Sequence, residues 1–196
     1  MTTRHRPGGL CYLLLSFCAA LSAQSLTEGQ PGSKVRAVIY EDLQCPDCAN
    51  FRQMMDRQIL PKYGDRIEFV HRDFPLAKHA WARTAAIAAR FFAERDAKLG
   101  LEYRRWSLAN IAQTTAANFY QRLAGFASEH GVNPDHAVAA LTNPKYAEAV
   151  EKDYQDGVGR GVVHTPTVLV NGTPFVETFT FEEIAKGLDA ALAQAK

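Results

Sequence analysis

The chain is poor in features that announce a partner. Lysine and arginine number 22 against 21 aspartate and glutamate, and neither sign gathers into a tract. The absence of a basic stripe argues against nucleic acid, and the absence of an acidic tail argues against a disordered segment. No internal repeat is present. Metal-ligand spacing is missing too: there is no HxxxH and no second CxxC, whereas zinc normally takes four ligands. No metal and no cofactor is therefore expected. Cysteine is scarce, with four in 196 residues. What remains is ordinary, 47% hydrophobic and 22% charged, at a length sufficient for one domain with a real core.

The N-terminus departs from that average. Arg4, His5 and Arg6 precede an apolar run from Leu10 to Leu21, followed by the small residues Ser22 and Ala23. A basic start, a short apolar stretch and a small-residue end describe a secretory signal peptide. The run is too short for a comfortable membrane span. Cleavage is expected near Ala23, with Ala20 as the rival site and an uncleaved anchor as the alternative. Residues 1–23 are thus read as a signal peptide and 24–34, rich in glycine, proline and polar residues, as a flexible leader. Cleavage would remove Cys11 and Cys18 and leave Cys45 and Cys48 alone in an oxidising compartment.

Those two belong to Cys45-Pro46-Asp47-Cys48. A strand-like run, Val35 to Glu41, precedes the motif, and a helical run, Ala49 to Leu60, follows it. Cysteines three apart at a helix start lie on one face and can close a small disulfide or stand as a dithiol. Free backbone N–H groups and the positive end of the helix macrodipole favour a thiolate at Cys45. Pro46 suits the first helical turn, where no N–H is required. An inert disulfide and half of a zinc site are the competing readings of the pair.

Further on, Arg66 to Arg72 reads as a second strand, and Pro61 and Gly64 are expected to end the helix before it. A long helical region follows: Ala77 to Arg95, Glu102 to Ala112, and Ala117 to His130 with Asn118 as its N-cap. Asn133-Pro134 and Asn143-Pro144 each pair an N-cap with proline at the first helical position. Trp81, Phe91, Phe92 and Trp106 read as packing residues. Gly157, Gly159 and Gly161 are expected to loosen the chain before Thr167 to Val170, a strong strand. Asn171-Gly172 predicts a two-residue hairpin turn, Thr173 to Glu177 the return strand, and Phe181 to Ala193 a closing amphipathic helix. The pattern is α/β, a small mixed sheet with a helical insert, about 76–160, between its halves. The whole domain spans 35–196.

Tyr40 to Cys48 resembles the active-site segment of DsbA-like thiol–disulfide oxidoreductases. Arg72-Asp73-Phe74-Pro75-Leu76 is similar to the segment before that family's helical insert, and Gly161 to Gly172 to its cis-proline loop and hairpin. The resemblance implies a thioredoxin-like fold with an inserted helical domain. It implies exported, periplasmic exchange with the thiols of substrate proteins by a monomer. A membrane partner of the DsbB type or resembling vitamin-K-epoxide reductase would reoxidise it. By carry-over, Cys45 attacks and is attacked, Cys48 resolves, and Pro166 is a cis-proline beside them. Pro46, Asp47, Thr165 and His164 support the site. His164 could stabilise a thiolate when protonated; a solvent-facing loop histidine is the other reading. His71, His79, His130 and His136 are expected to be structural or exposed.

Two departures stand out. Family members often carry a buried glutamate six residues before the first cysteine, where this chain has Ile39, so Glu41 or Asp42 would have to substitute. Strongly oxidising members place histidine between the cysteines, where this chain has Asp47, and a weaker oxidant is expected. The alternative functions are a reductase or isomerase of the same fold, or a non-catalytic peptide-binding module.

Overall fold

A computed structural model describes residues 26–195. The segment expected to be a signal peptide, with its expected cleavage positions, lies outside them. Strand β2 (Arg36–Glu41) sits at the centre of a five-stranded sheet, with β3 (Glu68–Asp73) parallel on one side and β4 (Thr167–Val170) antiparallel on the other. β5 (Thr173–Val176) returns along β4. Asn171 and Gly172 both have positive φ, 44° and 93°, as a two-residue turn of this hand demands.

The fifth strand of the sheet carries no clear signal in the sequence. Leu26–Gly29, expected to be flexible, forms β1 and pairs antiparallel with β3. Four residues that end in glycine, with Pro31 and Gly32 close behind, carry too little alternation to announce a strand. The β3 backbone edge supplies the pairing, and Leu26 is fully buried against Ala93 and Leu101.

One sheet face holds Val35, Ala37 and Ile39, packed on Phe51, Met55 and Ile59 of the first helix and on Ile184 and Leu188 of the last. That last helix, α8 (Phe181–Gln194), starts with a reciprocal capping box between Thr180 and Glu183. The first helix is not ended by Pro61. α1 (Pro46–Met54) passes through a π turn, Met55–Ile59, into α2 (Leu60–Tyr63). The Leu60 N–H bonds back to Met55 O, so the hydrogen-bond ladder has already shifted where proline withdraws its donor.

Between β3 and β4 lie α3 (Ala82–Arg95), α4 (Ala97–Ala109), α5 (Phe119–Glu129), α6 (Pro134–Ala139) and α7 (Pro144–Gly159). Trp81, Phe92, Tyr103, Phe119 and Phe126 form their common core, and Leu43, Cys45 and Cys48 reach it from below. Asn133 and Asn143 cap α6 and α7 through their side chains. Asn118 does not cap α5; its side chain accepts from Thr115 N at 2.8 Å and closes the preceding loop. Gly157 and Gly159 do not loosen the chain, because α7 runs through both. At 157 glycine is a packing requirement: a Cβ there would lie 2.7 Å from the Phe74 ring.

Candidate active site

The turn after β2 delivers the cysteines. Asp42 Oδ1 accepts from Gln44 N at 2.7 Å, and Cys45 N donates to Asp42 O at 3.1 Å. Cys45 then occupies the N-cap of α1 in extended geometry, with Pro46 directly inside the helix. Cys45 and Cys48 stand as a dithiol.

Their environments differ in sign. Cys45 is held down to about 6 from an ordinary 9.0. The Cys48 thiol is the leading cause; burial opposes it, and the Thr165 hydroxyl and the N–H groups of Cys48 and Asp47 add to it. Cys48 has no exposed surface, and burial, Cys45 and the Glu41 charge all push its thiol well up. Only the Asp42 N–H, 3.4 Å from its sulfur, pulls the other way. Titrating the reduced protein by thiolate absorbance should give a midpoint near 6 for Cys45, with Cys48 unalkylated by iodoacetamide at neutral pH. A single midpoint near 9 would contradict this geometry.

The Thr165–Pro166 peptide is cis. Cys45 Sγ lies 3.3 Å from Thr165 O, and the buried Thr165 hydroxyl has no hydrogen-bond partner of good geometry. Cys45, Asp47, Lys78, Val163, His164 and Glu177 line a cleft of about 340 Å³. Asp42 also fixes the far wall: its Oδ2 receives Leu76 N at 2.7 Å and lies 2.8 Å from His79 Nδ1. Gln44 Oε1 adds a bond from Trp81 N at 2.8 Å.

Sequence reasoning placed His164 at this cleft but supplied no partner for it. Its Nδ1 lies 3.0 Å from Glu177 Oε1, so the ring faces a carboxylate across the hairpin. Glu177 itself was missed. It takes a left-handed φ of 55° and donates its N–H to Pro166 O at 2.8 Å. A glutamate at the end of a short strand carries no signal for such a role.

Ile39 is fully buried in apolar core, and Glu41 instead brings a carboxylate beneath Cys48. His71, expected to be structural or exposed, is buried beside it, with Nδ1 2.7 Å from Glu41 Oε1. Arg104 of α4 reaches the same oxygen at 2.9 Å and also grips Asp73. Asp73 pairs with Arg90 of α3 at 2.5 Å, and Arg90 continues to Asp153 of α7. Burial disfavours charge on Glu41, but Arg104 and His71 override it and hold the carboxyl well below its usual range. Among the described residues, no group of three histidine, cysteine or carboxylate side chains is placed to hold a metal ion.

A family model described as Thioredoxin matches residues 22–190. The chain belongs to the thioredoxin family. Within it, the fold is that of DsbA-like proteins with a helical insertion. The crystal structure of Wolbachia pipientis alpha-DsbA1 superposes with a TM-score of 0.77 at 16% identity, over 87% of this chain and 92% of that one. Oxidised BdbD from Bacillus subtilis gives 0.74 at 20% identity over 86% and 93%, and Chlamydia trachomatis DsbA 0.72 at 17% over 99% and 98%. A curated Na(+)/H(+) antiporter NhaA of Herminiimonas arsenicoxydans is 28% identical over 163 residues. That stretch is 83% of this chain and only 25% of the antiporter, so the thioredoxin-family chain spans about a quarter of that relative's length. No described helix is long and apolar enough to cross a membrane.

Proposed function

We propose that this protein is an exported thiol–disulfide oxidoreductase that passes its Cys45–Cys48 disulfide to the thiols of other proteins. The observation that carries the reading is the opposed placement of the two sulfurs: Cys45 lines the cleft at the helix N-cap, where its thiol is depressed, and Cys48 lies fully buried behind it, where its thiol is raised. A substrate thiolate attacks Cys45 Sγ in the oxidised pair. The Cys45–Cys48 bond breaks, and Cys48 leaves and takes up a proton. A second substrate thiolate attacks the substrate sulfur of the mixed disulfide, and Cys45 departs as the thiolate its surroundings favour. The protein gains two electrons and the substrate a disulfide. A membrane oxidant of the DsbB or vitamin-K-epoxide-reductase kind then restores the pair.

The loop at Thr165-Pro166 supports this reading by presenting backbone beside Cys45, where an extended substrate segment can pair as an added strand. Asp47 bears on direction. Replacing it by histidine should lower the Cys45 midpoint by about one unit, or roughly 30 mV towards oxidising if wholly expressed in the potential. An unchanged potential in Asp47→His would remove residue 47 as the tuning position.

The deciding experiment equilibrates the mature protein with glutathione buffers, traps thiols by alkylation and reads the masses. A potential well above the glutathione couple is the result expected of an oxidase. A value near thioredoxin's would make the protein a reductase or isomerase, and the absence of reversible exchange would leave a peptide-binding module.

A further inference from the structure

The cluster beneath Cys48 is larger than exchange chemistry at the cleft requires, and it closes on itself. Cys48 Sγ accepts the N–H of Asp42, the residue next to Glu41. Glu41 reaches His71 Nδ1 at 2.7 Å, and His71 Nε2 lies 2.9 Å from Glu28 Oε1, close enough to pair but bent from hydrogen-bond alignment. Glu28 pairs with Arg52 at 2.6 Å. Arg52 follows Cys48 by one helical turn, on the same face of α1. The path therefore starts and ends at Cys48, through β2, β3, β1 and back to α1. Its members Glu28, Glu41, Arg52, His71 and Cys48 are all buried or nearly so.

The charge on His71 follows from its partners. Both ring nitrogens face carboxylates, and a carboxylate accepts but cannot donate, so a neutral tautomer would leave one nitrogen lone pair against an anion. The imidazolium satisfies both sides. The charged groups around it are Glu28 from β1, Glu41 from β2, Asp73 on its own strand, Arg52 from α1, and Arg104 and Arg105 from α4. Among the described residues, His71 is the one cation that touches both carboxylates of the closed path.

We propose that His71 is a positioning residue of the dithiol, acting through Glu41, and that Glu28 of β1 opposes it. The His71 cation offsets the carboxylates under Cys48 and so favours negative charge on the cysteine sulfurs. Glu28 adds negative charge to the same enclosure and disfavours it. Strand β1, ahead of the β2–CxxC–α1 unit, thereby becomes part of the redox site. This inference rests on the proposed exchange at Cys45–Cys48.

The test compares His71→Gln with Glu28→Gln in the full mature protein, reading the Cys45 thiolate titration of the reduced form and the glutathione-equilibrated potential. The expected shifts are opposite in sign. Removing the cation raises the Cys45 midpoint, and removing the distal carboxylate lowers it. Each shift should reach at least ~0.3 unit, a twofold change in the thiolate-to-thiol ratio. A merely structural role would cost both variants stability while leaving the midpoint in place or moving it the same way, and either result overturns the proposal. Should His71→Gln fail to fold, Glu28→Gln decides alone: an unmoved or raised midpoint overturns it. Failure of the exchange reading itself would appear separately, as wild-type protein with no reversible disulfide.

Discussion

Cys48→Ser should accumulate as a covalent adduct with its substrates. The Cys48 thiol, the leading cause of the Cys45 depression, is lost, but Thr165 and the N–H groups of residues 47 and 48 remain to favour the Cys45 thiolate once reduced. A mixed disulfide formed at Cys45 would normally be open to return attack by Cys48, one helical turn away; serine cannot make that attack. Non-reducing electrophoresis of extracts should show a ladder of species that collapses with reductant. Cys45→Ser should show no ladder, and its exchange rate should fall on the order of a thousandfold or more, as expected when a covalent nucleophile is removed. Equal trapping by both variants would mean that Cys48 is attacked directly, contrary to its full burial.

Arg104→Met should be the most damaging substitution away from the sulfurs. The guanidinium is 2% exposed and joins Glu41 of β2 to Asp73 of β3, tying helix α4 to the ends of two strands. Methionine fills much of the volume but leaves two buried carboxylates short of a cation. Breaking a buried pair in this way costs about 3–5 kcal/mol. At ~2–4 °C per kcal/mol for a domain of this size, the melting temperature should fall by roughly 6–20 °C. The pH dependence supplies a second check. Glu41 and Asp73 are held low in the native protein, so their stabilisation is present above the ordinary carboxylate range and is lost as pH falls below that range through their depressed values. The deficit of the variant should therefore narrow as pH falls below the ordinary carboxylate range, where wild type loses the same interaction. A melting temperature within 2 °C of wild type would refute the argument.

Much of the cleft was legible because its signals are local. A strand, a CxxC and a helix start are contiguous, and Thr165-Pro166 is marked by proline before a strong strand and an Asn-Gly turn. Local signals also misled. Pro61 and Gly157 look like breakers, but a shifted hydrogen-bond ladder accommodates the first and the Phe74 ring requires the second. Glu177 is invisible for the converse reason: its role depends on a left-handed backbone and a partner across the hairpin.

By itself, the sequence determined where the paired cysteines lie, where the helix that favours a thiolate begins, and the order of the strands and helices after β1, because each depends on neighbours within a few residues. Only the tertiary structure decided what surrounds the second sulfur. Glu28, Glu41, His71, Arg52 and Arg104 come from five separate elements, and no spacing along the chain relates them. A buried charge persists only where opposite charges converge on it in space, and that convergence exists only once β1 is paired with β3 and α4 is packed over the strand ends.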